Sequence, residues 1–438
     1  MSKTVPLASL SDEEKSKIEK DLTITLEPSK YGFAPSTEIY AYKVEKDKAV
    51  VPFSYDIPNA FIRQRSSFTS MGAIFTGELR EEQKIVREEI IKELNSKRAV
   101  LLSLHVGFGK TILAINIATK IKLKTLVIVN RIVLIKQWEE AITTFCPNAK
   151  IQFIKPGDKM KDDIDFYIIN ALNIVKNDSS FYKSIGLVII DELHLILAEG
   201  LSAGLLELRP SYLIGLSATA YRMDNLNKLF NLYFGSVRIE RKLWHPHKVI
   251  KIDTGFNPKT EITKTGKVDW NSILEAQASD VNRNELIISL VKKHKTKTFL
   301  IPVKRVEHGR YLLTRLKEEG ESVDSLIGKS QKFDKNVRIL IGTASKIGTG
   351  FDHAKLNAMI LATDIEAYFI QYLGRIFRRK DVEPVIFDLV DDHPILKKHF
   401  KTRCGVYKEH GGVLINGEVD TNENAESDNI SCKRLLKR

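Results

Sequence analysis

Cysteine is scarce in this chain, and the three present stand alone. Cys146, Cys404 and Cys432 share no C-x-x-C spacing, which argues against a zinc site built from them and points to a reducing compartment. Long apolar runs are missing too. No stretch of about 18 apolar residues occurs, so no membrane-spanning helix is expected. The opening Met1-Ser2-Lys3-Thr4 leads into Ser11-Asp12-Glu13-Glu14-Lys15 without the apolar core of a secretory signal. There is no internal repeat, and residues 1–75 and 401–438 are short, with no D…E-x-K arrangement that supports a fused nuclease. Nor is there a basic tail. Of the net charge of +13, residues 76–245 carry +5 and residues 246–400 carry +7, against 0 over 1–75 and +1 over 401–438. The excess sits in two central blocks, which suits a polyanion bound along both.

What is present is enough for more than one core. At 438 residues, 43% hydrophobic and 28% charged, the chain has the composition of a globular protein of two domains with appendages. Two series of short apolar runs alternate with helix-like stretches. The first is Ala99–Leu104, Thr125–Val129, Phe166–Ile169, Leu187–Ile190 and Tyr212–Leu216; the second is Thr298–Val303, Val337–Ile341, Ala358–Ala362 and Pro384–Leu389. Runs such as Leu126-Val127-Ile128-Val129 are apolar on both faces, as in parallel sheets covered on both sides by helices. The reading is α/β, with two tandem domains of mainly parallel sheet over 76–245 and 296–400. Residues 246–295 read as a connector with local structure, and 401–438 as a C-terminal tail, partly disordered. Residues 1–75 read as a small accessory α+β domain, in which Tyr40, Tyr42, Phe53 and Tyr55 are either core or a nucleic-acid-sensing face.

Two short runs carry the chemistry. Val106-Gly107-Phe108-Gly109-Lys110-Thr111 follows the strand Ala99–Leu104 and precedes a helical pattern from Ile112. Glycines 107 and 109 let backbone N–H groups approach phosphate oxygens, and the helix start adds partial positive charge. Lys110 is placed to reach the β- and γ-phosphates, and Thr111 Oγ to ligate Mg2+. Leu104 departs from G-x-x-x-x-G-K-[ST], standing where its first glycine would be. Asp191-Glu192-Leu193-His194 ends the strand Leu187–Ile190. Asp191 is a candidate metal ligand and Glu192 a candidate general base for a water. Both runs fall at carboxyl ends of strands, where α/β sheets bind ligands. Together they predict hydrolysis of ATP.

Further runs complete an ordered set: Ser217-Ala218-Thr219, Gly342-Thr343 through Gly350-Phe351-Asp352, and Gln371-Tyr372-Leu373-Gly374-Arg375-Ile376-Phe377-Arg378. This set resembles the motor core of superfamily 2 helicases over roughly residues 76–395. The resemblance implies two RecA-like domains that clamp ATP. It implies that Arg80 and Gln83 read adenine, that Ser217, Thr219 and His194 couple hydrolysis to movement, and that Gly350 and Asp352 tie the second domain to ATP. Arg375 and Arg378, with Gln371 nearby, match the arginines that reach the phosphates from that domain.

Asn130-Arg131 followed by Gln137-Trp138 is similar to the nucleic-acid element of DNA translocases related to the TFIIH repair translocase and phage recombination helicases. The run Thr219 to Asp224, with Leu229-Phe230 and Tyr233-Phe234-Gly235, resembles helicases of large cytoplasmic DNA viruses, the poxvirus transcript-release type among them. Asn130, Arg131, Asn170, Lys304 or Arg305, and Thr343 are the candidate nucleic-acid contacts. The expectation is an ATP- and Mg2+-dependent DNA helicase or translocase, monomeric and cytoplasmic, serving viral transcription, replication or repair with the proteins of those processes. RNA or an RNA–DNA hybrid is the alternative substrate, and a non-catalytic scaffold the remaining one.

Overall fold

The computed structural model describes residues 1–26, 37–196, 202–217, 227–263, 266, 268–330, 332–347, 353–365, 369–379 and 381–417. The chain divides into two compact units, Met1–Lys242 and Leu243–Arg438. Among the described residues, no helix is long and apolar enough to cross a membrane.

The first unit begins with five short strands: β1 (Ser2–Pro6), β2 (Thr23–Leu26), β3 (Thr37–Tyr40), β4 (Lys43–Glu45) and β5 (Lys48–Pro52). They form an antiparallel sheet in the order β1-β5-β4 and an antiparallel β2–β3 pair. The helix Asp12–Leu22 between them starts on a reciprocal cap: Ser11 Oγ accepts from Glu14 N–H at 3.1 Å, and Glu14 accepts from Ser11 N–H at 2.8 Å. Then come β6 (Ala99–Leu104), β7 (Thr125–Val129), β8 (Ile151–Ile154), β9 (Phe166–Asn170), β10 (Leu187–Ile190), β11 (Tyr212–Ser217) and β12 (Arg238–Arg241). These seven make one all-parallel sheet in the order β12-β6-β11-β10-β7-β9-β8.

Alternation along each strand feeds two cores, one per face. Leu101, Leu126, Ile128, Tyr167, Val188 and Ile190 enter one core; Val100, Leu102, Val127, Val129, Ile168 and Ile189 enter the other. The first of these cores also takes Val5, Leu22, Val51, Phe53 and Tyr55. Ser2 N–H donates to the Leu208 carbonyl at 2.7 Å, fixing β1 to the far end of the same unit. The expectation of a separate domain over 1–75 therefore gives way to a shared core, since so few short strands bury too little apolar area to stand alone. Phe53 and Tyr55 are core residues, whereas Tyr40 is 55% exposed.

The second unit holds β13 (His247–Asp253), β14 (Phe299–Val303), β15 (Val323–Leu326), β16 (Ile339–Thr343), β17 (Ala358–Leu361), β18 (Val385–Val390) and β19 (Gly412–Gly417). Again all are parallel, in the order β15-β16-β14-β17-β18-β13-β19. Two expectations are corrected here. Residues 246–295, read as a connector, supply β13 and the helices Trp270–Ser279 and Val281–Lys293. Residues 401–417, read as tail, complete the helix Pro394–Glu409 and add edge strand β19. The sheet is braced by buried charge. Asp388, 0% exposed on β18, accepts two hydrogen bonds from Arg403 (2.9 and 2.7 Å) and one from Tyr407 Oη (2.7 Å). Arg403 also pairs with Asp364 at 2.9 Å, so no ion in the group is left without a counter-charge. The two tandem α/β units expected from the sequence are present.

Candidate nucleotide site and arginine segment

Strand β6 delivers the loop His105–Gly109 at its carboxyl end, and the helix Lys110–Ile121 starts directly after it. Gly107 and Gly109 have φ of +84° and +87°, which side chains resist. A Cβ on Gly109 would stand 2.4 Å from Gln83 Nε2, while the space above Gly107 is open to 4 Å. Leu104 is 0% exposed and is the last residue of the strand. Its place needs no glycine, because the left-handed turns fall later, at 107 and 109. Its carbonyl accepts from Lys110 Nζ at 3.0 Å, so the lysine lies across the loop it serves. Thr111 and Val106 are half-buried beside it. Two left-handed glycines with open space above one of them, an ammonium and a hydroxyl at a helix start are the donor set a triphosphate and Mg2+ require.

Gln83 and Arg80 brace this loop. Gln83, 3% exposed, accepts from Arg80 N–H at 2.9 Å and donates from Nε2 to the Phe108 carbonyl at 2.8 Å. Arg80 Nη2 donates to the carbonyls of Gly107, at 3.3 Å, and Phe108. The Phe108 ring lies in the core, 1% exposed, so this residue offers a ligand only its backbone.

Asp191 follows β10, two strands from the loop. It is 7% exposed, and each carboxylate oxygen has a donor: Trp138 Nε1–H at 2.8 Å on Oδ2 and Glu192 N–H at 2.9 Å on Oδ1. Burial, with the neighbouring Glu192 charge second, raises the Asp191 pKa to about 6; the Trp138 hydrogen bond and the Lys110 charge act against them. Trp138 sits in the helix Ile132–Phe145, 1% exposed. The sequence reading placed it in a nucleic-acid element; in the structure its indole N–H donates to the Asp191 carboxylate. The signal that could have found it is that a buried indole N–H needs an acceptor.

Glu192 has φ +49°, an uncommon conformation for a residue with a side chain. Its Oε2 is shielded from solvent and makes no hydrogen bond, with His194 Nδ1 3.4 Å away. His194 Nδ1 in turn lies 3.0 Å from Ser217 Oγ at the end of β11. The strand ends thus join Glu192, His194 and Ser217 in one file.

Thr219, Gly350 and Asp352 lie outside the described residues. Asn130 ends up beside β10 because β7 does, and its Oδ1 is buried without a hydrogen-bond partner. Arg131 caps the helix that carries Trp138. Asn170 accepts from Leu172 N–H at 3.0 Å, capping the turn after β9. In the second unit, Thr343 ends β16 at 9% exposure. Arg305, after the adjacent strand β14, donates to Asn271 Oδ1 at 3.0 Å, and the Lys304 ammonium lies 5.6 Å from the Trp270 ring centre. The helix Phe369–Ile376 carries Gln371 and Arg375, 5% and 8% exposed. Arg378 follows it, and burial holds its pKa below the usual arginine value.

Comparison with known proteins gives these geometries a family. Residues 76–222 match the family described as "Type III restriction enzyme, res subunit". Protein 161L of Invertebrate iridescent virus 6, provisionally named a helicase, is 44% identical over 397 residues, covering 84% of this chain and 90% of its own. The chain belongs to the helicase family that these large DNA viruses carry. This helicase is also 32% identical over 359 residues to protein 055L of Frog virus 3, provisionally named a helicase, with 80% and 82% of the two chains covered. Its fold is that of Saccharomyces cerevisiae Dbp5, solved bound to RNA and ADP BeF3, at a TM-score of 0.54 and 15% identity over 76% of the helicase and 89% of Dbp5. The helicase's two units are therefore tandem RecA-like domains, and it is a nucleic-acid-dependent ATPase.

Proposed function

We propose that this helicase is an ATP-dependent DNA helicase or translocase whose nucleotide sits on the first unit. The observation that carries the reading is the Asp191–Glu192 corner: a buried carboxylate oriented by two N–H donors, followed by a left-handed glutamate with a shielded oxygen that makes no hydrogen bond and lies 3.4 Å from His194 Nδ1. In this reading the loop N–H groups and Lys110 hold the β- and γ-phosphates, Lys110 exchanging the Leu104 carbonyl for phosphate oxygen. Thr111 Oγ and Asp191 would hold Mg2+, which would supply positive charge at the phosphates. Glu192 accepts a proton from the attacking water, and its unusual backbone aims it there. Arg80 and Gln83 keep the loop in shape and meet the base. Arg375, Arg378 and Gln371, with Gly350 and Asp352, are the residues of the second unit that we assign to ATP hydrolysis, the two guanidiniums as sources of positive charge. His194, Ser217 and Thr219 carry the state of the site to the nucleic-acid grip, for which Asn130, Arg131, Asn170, Arg305 and Thr343 are the contacts.

The charge excess in both central blocks suits a nucleic-acid backbone of either kind, and DNA is favoured by the restriction-enzyme description of the matching family. The setting we propose is viral transcription, replication or repair in the host cytoplasm, with the protein acting as a monomer. The test is ATP turnover with DNA, RNA and hybrid duplexes of equal length, each blunt, forked and tailed, alongside Lys110→Ala and Glu192→Gln. Both variants are expected to lose turnover and keep the fold. Full turnover in either overturns the site assignment, and stimulation by RNA but not DNA overturns the substrate.

A further inference from the structure

Three histidines meet in the second unit around the segment that bears Arg378. The segment Leu243–His247 opens this unit directly after Lys242. Phe377, 7% exposed, lies against it: the His245 ring is stacked on Phe377 at 5.3 Å and 28°, and the His247 ring is 4.6 Å away at 45°. His245 Nε2 lies 3.1 Å from the Arg379 carbonyl oxygen, and its Nδ1 lies 2.7 Å from the carbonyl of Pro246. Both chain neighbours of Arg378 are therefore gripped, one by ring stacking and one by a hydrogen bond from His245 Nε2–H.

The opposite side of the cluster is built from His410-Gly411-Gly412. His410 O accepts from His245 N–H at 3.0 Å, and Gly411 O accepts from His247 N–H at 3.2 Å. His247 Nδ1–H donates to the His245 carbonyl at 2.8 Å, and burial keeps the His247 pKa below its ordinary value. The two glycines are required by closeness. Gly411 has φ +91°, and a Cβ there would stand 2.8 Å from the His245 carbonyl oxygen; one on Gly412 would stand 2.7 Å from His247 Nε2. A tight turn thus presses Leu243–His247 against the arginine segment. That segment has just left the helix Phe369–Ile376, to which Phe377 N–H still donates at the Leu373 carbonyl, 3.2 Å away.

We infer that His245, backed by His247 and the His410-Gly411-Gly412 turn, is a positioning residue for Arg378: it holds the residues on either side of that arginine so that the guanidinium is presented in one place. The inference rests on the proposed role of Arg378 in ATP hydrolysis. Phosphoryl transfer is sensitive to such placement, since a displacement of about 1 Å costs on the order of 100-fold in rate. His245 touches neither nucleotide nor the reacting atoms in this assignment, so its effect passes through Arg378.

The experiment compares His245→Ala, His245→Gln, Arg378→Ala and the double variant His245→Ala/Arg378→Ala in the full chain. It measures nucleic-acid-stimulated ATP turnover, KM for ATP, affinity for a fluorescent ADP analogue, and thermal unfolding. His245→Ala is expected to lower kcat about ten- to 100-fold, leaving KM and ADP affinity within about twofold because the phosphate loop lies in the other unit. His245→Gln, which restores a side-chain donor for the Arg379 carbonyl, is expected to recover most of the rate. The double variant is expected to be no slower than Arg378→Ala alone. A kcat loss that tracks a fall in melting temperature, or a double variant slowed by the product of the two single effects, overturns the inference. If Arg378→Ala loses turnover while His245→Ala keeps it, the positioning inference alone fails. If Arg378→Ala itself keeps full turnover, the arginine assignment fails and takes this inference with it.

Discussion

Asp191→Asn is expected to stabilise the nucleotide-free protein and abolish its ATP turnover. The carboxylate is buried, and its pKa is raised from 3.8 to about 6. The folded protein therefore binds this proton more tightly than the unfolded chain does. For an acid shifted in this direction, stability falls as pH rises from the unfolded pKa through the folded one, and the deficit is constant above that. About two pK units at about 1.4 kcal/mol each make a deficit on the order of 3 kcal/mol at pH 8, roughly half of which develops between pH 5 and pH 8. Asparagine has no charge to desolvate. It offers one acceptor where the carboxylate offers two, so either Trp138 Nε1–H or Glu192 N–H loses its partner, at about 1 kcal/mol independent of pH. The net gain is then about 2 kcal/mol at pH 8 and well under 1 kcal/mol at pH 5. Urea unfolding of both proteins in chelator, followed by circular dichroism at pH 5, 6, 7 and 8, reads the difference. A stability difference that is flat with pH, or that grows toward acid, refutes the reasoning.

Trp138→Phe removes a hydrogen bond to a charged acceptor, about 1.5–3 kcal/mol. The Mg2+ concentration for half-maximal turnover is expected to rise about 10- to 100-fold, while ADP affinity measured without Mg2+ stays unchanged. Leu104→Gly restores the glycine of the common phosphate-loop pattern, yet it empties a fully buried site. It is expected to cost on the order of 2–5 kcal/mol in chemical denaturation and to bring no gain in ATP affinity. Arg403→Met leaves Asp388 and Asp364 without their shared partner. A loss of about 3–5 kcal/mol is expected in the second unit's unfolding transition, seen by calorimetry, with the first unit's transition unmoved.

The strands that could be read along the chain are those buried on both faces, such as Leu126–Val129, because nothing polar interrupts them. Those missed are diluted by polar residues at or near sheet edges. Arg238-Ile239-Glu240-Arg241 and Val323-Asp324-Ser325-Leu326 each form an edge strand, and His247–Asp253 alternates apolar and polar beside an edge. The same division holds at the site. Lys110-Thr111 and Asp191-Glu192 are legible because backbone geometry forces their chemistry into short runs. Contacts that depend on the fold are silent in spacing: Trp138 to Asp191 spans 53 positions, and His245 to Arg379 spans 134. The puzzle of Leu104 also dissolves only in three dimensions, where its side chain is seen to serve the core and its carbonyl the lysine.

The ladder between the first strand and the far end of its unit sets a schedule for biosynthesis. Ser2 is bonded to Leu208, 206 positions later. At ribosomal speeds of about 5–20 residues per second, the first segment waits on the order of 10–40 s before its partner emerges. During that interval Val5, Leu22, Val51 and Phe53, all buried in the finished unit, have no sheet to cover. The segment Ser2–Phe53 is thus locked only once Leu208 has been made, and until then these apolar side chains lie open to chaperones.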